Sequence, residues 1–163
     1  MRITRRLEFD AGHRIPNHAS QCRHLHGHRY AIEVTVSGKI VASEGDSEQG
    51  MVADFAGIKA LLHKHIVEPW DHAFLAYAKD TPVVDFLRSI PGHRTVLFDA
   101  PPTAEHLSIT SLGILEKAFG VIKPEPIFVS AFSFWHSFQH RAPLRLYFFL
   151  AVSAYRGGCP LRE

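Results

Sequence analysis

The chain has 163 residues, 46% hydrophobic and 21% charged, with a formal net charge of +2 when histidine is neutral. This length suits one domain, residues 1–163, with a substantial core. The charge is balanced and no Lys/Arg block stands out, which argues against a nucleic-acid partner, and no stretch reaches the ~20 apolar residues that span a bilayer. The two cysteines, Cys22 and Cys159, lie far apart, so a disulfide scaffold is not expected and a reducing, cytoplasmic location is. No signal-peptide pattern follows Met1. The unusual feature is the 12 histidines.

Residues 3–13 alternate and predict a half-buried strand: Ile3, Leu7, Phe9, Ala11 and His13 share one parity, with Arg5 the exception. Residues 14–24 carry Pro16, Asn17 and Ser20 and read as a loop. Residues 26–38 alternate again, with His26, His28, Tyr30, Ile32, Val34 and Val36 on one face. Residues two apart on a strand point the same way. Antiparallel pairing of the two strands would therefore bring His13, His26 and His28 together at one end of the buried face. Asp54 is a candidate N-cap for a helix carrying Phe55, Ile58, Leu61, Leu62 and Ile66, which Pro69 is expected to stop. Residues 70–75 read as a turn followed by a short ordered segment. Residues 80–102 read as a connector, with Val83-Val84 and Val96-Leu97-Phe98 as short strands. Thr103 caps a second helix, Glu105 sits favourably in its first turn, and Gly120 is expected to end it. Segments 127–134 and 144–155 read as two further β segments. The expected class is α+β.

Three neutral imidazoles with no fourth protein ligand suit a zinc ion left open to water or substrate. His-x-His alone is more often a structural pair, and His13 on the same parity tips the balance towards metal. Cys22 shares its loop with Arg14, Arg23 and His24, an electropositive setting that favours the thiolate. It is then a base or nucleophile, an inert small residue, or a fourth ligand that closes a structural site. Asp71-His72 pairs a carboxylate with an imidazole for proton transfer, although neighbouring side chains usually diverge. The remaining histidines, His93 among them, read as solvated or structural.

Phe9-Asp10-Ala11-Gly12-His13-Arg14, Cys22-Arg23-His24-Leu25-His26-Gly27-His28, Gly50-Met51-Val52-Ala53-Asp54-Phe55, Trp70-Asp71-His72-Ala73-Phe74-Leu75 and Pro102-Thr103-Ala104-Glu105 occur in this order. Together they closely resemble the 6-pyruvoyltetrahydropterin synthase / 6-carboxytetrahydropterin synthase family over residues 1 to about 120. The resemblance implies a tunnelling fold, a four-stranded antiparallel sheet with two helices on one face. It also implies a homo-oligomer, a hexamer of two stacked trimers with sites between subunits. By the same resemblance His13, His26 and His28 hold zinc, Cys22 is the catalytic base, and Asp71 with His72 forms a proton relay. Thr103 and Glu105 fall near the pterin end of the pocket. The spacing from Cys22 to His26-Gly27-His28 resembles the bacterial 6-carboxy type. That implies conversion of 7,8-dihydroneopterin triphosphate to 6-carboxy-5,6,7,8-tetrahydropterin, with loss of triphosphate and acetaldehyde, on the route to queuosine. A 6-pyruvoyl product, or a zinc-binding relative with altered pterin specificity, stays open. The family's pterin-gripping Glu is missing: ungapped counting places Tyr147 there, and no acid lies between Glu125 and Glu163. Such a charge-assisted contact is worth ~1.5–3 kcal/mol.

Overall fold

The computed structural model describes residues 1–122 and 128–134. Strands β1 (Arg2–His13) and β2 (His26–Ser37) pair antiparallel without a break, from Arg2 opposite Ser37 to His13 opposite His26. The alternation read from the sequence sets which face is buried: Phe9, Ala11, His13, Tyr30, Ile32, Val34 and Val36 are all inside. A third strand, β5 (Phe128–Phe134), pairs antiparallel with the far side of β2. The other edge departs from the expected all-antiparallel sheet. Phe74–Tyr77 (β3) runs parallel to β1, and Thr95–Phe98 (β4) runs parallel to β3. The sheet among the described residues is therefore mixed, in the order β4-β3-β1-β2-β5. The helical connection from β2 to β3 sets β3 beside β1, and a crossover through the helix Thr81–Arg88 sets β4 beside β3 in the same direction, which the hydrophobic pattern of such short segments does not encode. The predicted strand 144–155, and Tyr147 within it, lie outside the described residues.

Helix α1 (Phe55–Leu62) begins where expected: the Asp54 carboxylate accepts from the Gly57 amide at 2.9 Å. It does not stop before Pro69. His63–Val67 widen into a π-turn, closed by the Glu68 amide donating to the His63 carbonyl, and a last turn, α2 (Glu68–Trp70), carries Pro69 near its start. Pro69 lacks an N–H and its ring crowds the carbonyl four residues back. A wider turn accommodates it. Helix α3 (Thr81–Arg88) replaces the short strand expected at Val83-Val84. Pro82 sits in its first turn, and Val83, Val84 and Leu87 form one buried stripe, so packing overrides the β-preference of valine. Helix α4 (Ala104–Ile122) runs past Gly120. Glycine weakens a helix by ~1 kcal/mol but lacks proline's steric block.

Helices α1 and α4 cover the buried face of the sheet. Leu62, Ile66, Leu107 and Leu115 are fully excluded from water, each worth roughly 1.5–3 kcal/mol. Among the described residues no helix is long and apolar enough to cross a membrane.

Candidate metal centre

Strand pairing builds the centre. His13 lies directly opposite His26, and Ala11 opposite His28, so the three imidazoles meet at one corner of the buried face. Their ring centroids are 4.6–5.0 Å apart, and their ligand nitrogens all lie within 4.8 Å of one another. Tyr30, next along the same face of β2, forms a floor. Its ring stands edge-on to His13 and to His28 at 5.9 Å. Burial pushes its phenol well above the usual value, so the floor is neutral. The sequence carried that signal, because Tyr30 continues the parity of His26 and His28.

The donor set fits a zinc ion. His13 Nδ1 lies 2.9 Å from the Pro102 carbonyl, and His26 Nδ1 lies 2.7 Å from the His24 carbonyl. A carbonyl only accepts, so each Nδ1 carries the proton and each Nε2 keeps a lone pair for metal. Pro102 comes just before α4, so the buried His13 is fixed by a separate segment of chain. Cys22 lies on a 3-10 turn, Gln21–Arg23, and is partly exposed. Among the described residues the metal-competent cluster is the three histidines, without Cys22. This arrangement does not support a closed site of one cysteine and three histidines. The electropositive setting is also weaker than the sequence suggests, because Arg14 is committed to Asp80.

Asp71 and His72 do meet, against the usual divergence of neighbours. His72 adopts a left-handed backbone, φ 55°, uncommon for a residue with a side chain. This turns its Nδ1 to Asp71 Oδ2 at 2.9 Å. Strand β1 clamps the pair: the Asp10 amide donates to Asp71 Oδ1 at 3.0 Å, and the His72 amide donates to the Asp10 carbonyl at 2.7 Å. The Asp10 amide and the His72 contact hold the Asp71 carboxyl below its ordinary value. The Asp10 carboxylate is likewise lowered, by a two-point bond from Arg29 at 3.0 and 2.8 Å.

An open cleft of about 930 Å3 borders this corner, lined by His26, His28, Asp10, Arg29, His72 and His93 together with neighbouring backbone. His93 therefore lines the cleft, although its sequence neighbours gave no reason to place it there. Its Nδ1 is 2.9 Å from Thr95 Oγ1. By strand parity Asp10 and Arg29 face away from the three histidines, so His72 sits beside the opposite face of the sheet. Thr103 and Glu105 do not line the cleft. Thr103 Oγ1 accepts weakly from the His106 amide at 3.4 Å, and Glu105 is exposed in the first turn of α4.

The sequence model of the 6-pyruvoyl tetrahydropterin synthase family matches residues 2–145. Over 109 residues the chain is 38% identical to the 6-carboxy-5,6,7,8-tetrahydropterin synthase of Rickettsia bellii, covering 67% of this chain and 75% of that protein. Over 124 residues it is 32% identical to a probable 6-carboxy-5,6,7,8-tetrahydropterin synthase of Halobacterium salinarum, covering 76% and 72%. Two solved structures share the fold. An uncharacterized protein of Wolinella succinogenes has a TM-score of 0.65 at 22% identity, covering 90% of this chain and 97% of its own. The 6-pyruvoyl tetrahydropterin synthase of Plasmodium vivax has a TM-score of 0.57 at 18% identity, covering 83% and 90%. On the match along residues 2–145 and the identity shared with these synthases, the chain belongs to the 6-pyruvoyl tetrahydropterin synthase family of enzymes.

Proposed function

We propose that the protein is a zinc-dependent lyase that converts 7,8-dihydroneopterin triphosphate to 6-carboxy-5,6,7,8-tetrahydropterin, releasing triphosphate and acetaldehyde for queuosine synthesis. The observation that carries this reading is the corner where His13, His26 and His28 present ligand nitrogens, with His26 and His28 lining the same cleft as His72, whose ring Asp71 holds. The 6-carboxy assignment rests on the relatives that bear that name. A zinc ion held by the three histidines would polarise hydroxyl groups of the substrate side chain and acidify the adjoining carbon. Cys22 takes the proton from that carbon. His72, its Nδ1–H held by Asp71, exchanges a proton through its other nitrogen. Thr103 and Glu105 follow Pro102, the residue that anchors His13, and are assigned to the pterin end of the site.

The tunnelling fold, the hexamer of stacked trimers and the cytoplasmic location belong to the same reading. The relay borders the face of the sheet opposite the histidines, which supports a site completed between subunits. A second reading, a zinc-binding relative with altered or lost pterin specificity, is favoured by the lack of any acid between Glu125 and Glu163. One assay separates them: purified protein with 7,8-dihydroneopterin triphosphate, products identified by mass. The 6-carboxy product, absent with Cys22→Ala, supports the first. Zinc retained with no turnover of any dihydropterin supports the second.

A further inference from the structure

The loop between the first two metal ligands, His13 and His26, is held by a part-buried ion pair that no role described above uses. Arg14 Nε donates to Asp80 Oδ2 at 2.6 Å, and its terminal nitrogen donates to Oδ1 at 2.9 Å. The Asp80 side chain is only 5% exposed. Asp80 is also the N-cap residue of α3, yet its carboxylate makes no capping bond; only its backbone carbonyl receives the Val83 and Val84 amides. An N-cap aspartate normally turns its carboxylate onto the helix amides. Here the side chain is spent on Arg14. A pair with one partner buried is weak evidence for stability, since apolar replacements often fold as well. Its consequence is conformational.

Arg14 stands between two fixed points. Before it is His13, a metal ligand. After it is Ile15, whose amide donates to the Cys22 carbonyl at 2.8 Å. Further along, the His24 carbonyl holds the His26 ring. One two-point bond to α3 therefore locks a loop that starts at one ligand, passes the thiol and ends at the next.

We propose that Asp80 is a positioning residue: through Arg14 it fixes Cys22 relative to the three histidines. The inference rests on the assignment of Cys22 as base, and its test includes an arm that needs no substrate. In a Cys159→Ser background Cys22 is the sole thiol, and its alkylation by iodoacetamide is followed in metal-free protein. Asp80→Ala and Arg14→Ala are each expected to change the alkylation rate at least threefold. Each is expected to lower kcat about tenfold with KM moved less than twofold. The double variant is expected to match the single ones, and Asp80→Glu to recover part of the loss. Should Asp80→Ala fail to fold, Asp80→Asn, which keeps the size and one acceptor, is expected to show the same pattern at smaller amplitude. Alkylation and kcat within twofold of the parent, with only the melting temperature lowered, overturn the proposal. So do losses that multiply in the double variant. Absence of turnover in the parent removes the pterin reading alone, and the alkylation arm then decides.

Discussion

Replacing His13 by alanine removes two things that calorimetry can separate. His13 is 1% exposed and donates from Nδ1 to the Pro102 carbonyl. Alanine leaves that carbonyl without its donor, at a cost of about 1–3 kcal/mol. For a chain of this size each kcal/mol moves the melting temperature by about 2–4 °C, so metal-free His13→Ala melts roughly 2–12 °C below metal-free wild type. The second loss is the metal. A ligand at a thousand times its Kd stabilises the native state by about 4.1 kcal/mol. Wild type at that zinc excess therefore gains about 8–16 °C over the same protein in chelator. His13→Ala is expected to lose most of this increment. His26→Ala is expected to lose it too, with little change in chelator, because its Nδ1 bond to His24 is at the exposed surface. An undiminished zinc increment in both variants would refute the three-histidine centre. Equal metal-free melting of the two variants would refute the structural role given to His13.

Gly12→Ala places a Cβ 2.7 Å from Phe74 Cδ2, so it is expected to cost about 1–3 kcal/mol, with much of the loss restored by adding Phe74→Ala; a neutral single variant in chemical denaturation counts against this. The Asp71 carboxyl is lowered in the folded protein, so its contribution is complete above the ordinary value of 3.8 and lost as pH falls below it. Asp71→Asn in chelator should make acid unfolding below that pH less steep, and an unchanged slope would argue that the Asp10 clamp does not form in solution. Asp54→Ala removes a 2.9 Å N-cap and should cost about 0.5–2 kcal/mol. Thr103→Ala removes a 3.4 Å contact and should cost less; the reverse order by denaturant midpoint contradicts the capping geometry.

The metal corner was legible because strand alternation has an unforgiving period. Once β1 and β2 pair antiparallel, His13, His26 and His28 have only one place to meet. The Asp54 cap was legible for a similar reason, being a local bond between a side chain and an amide three residues on. The parallel edge was not. Nothing in Phe74–Tyr77 or Thr95–Phe98 states that each lies beside a strand running its own way. Nor did Arg14 announce Asp80, 66 residues later, since two charges far apart in sequence carry no spacing signal. Asp71-His72 read as a proton-transfer pair, but adjacency did not say that the side chains meet, and the left-handed turn at His72 is what lets them.

The π-turn at His63–Val67 has a meaning for how this chain tolerates length change. A helix carries an angular phase of about 100° per residue, and a π-turn is a place where one residue is taken up without passing that rotation on. Deleting a single exposed residue there, such as Lys64, would return the segment to ordinary pitch. Everything beyond it would keep its orientation relative to the start of α1, whereas the same deletion within α1 would swing it by about 100°. Trp70, edge-on to Phe9 and Phe98, would stay in the core after the first deletion and leave it after the second, taking Asp71 from the Asp10 amide. The extra residue thus works as a phase adjuster: a change of length by one is absorbed at the π-turn, and within α1 it would break the alignment of Asp71 with the sheet.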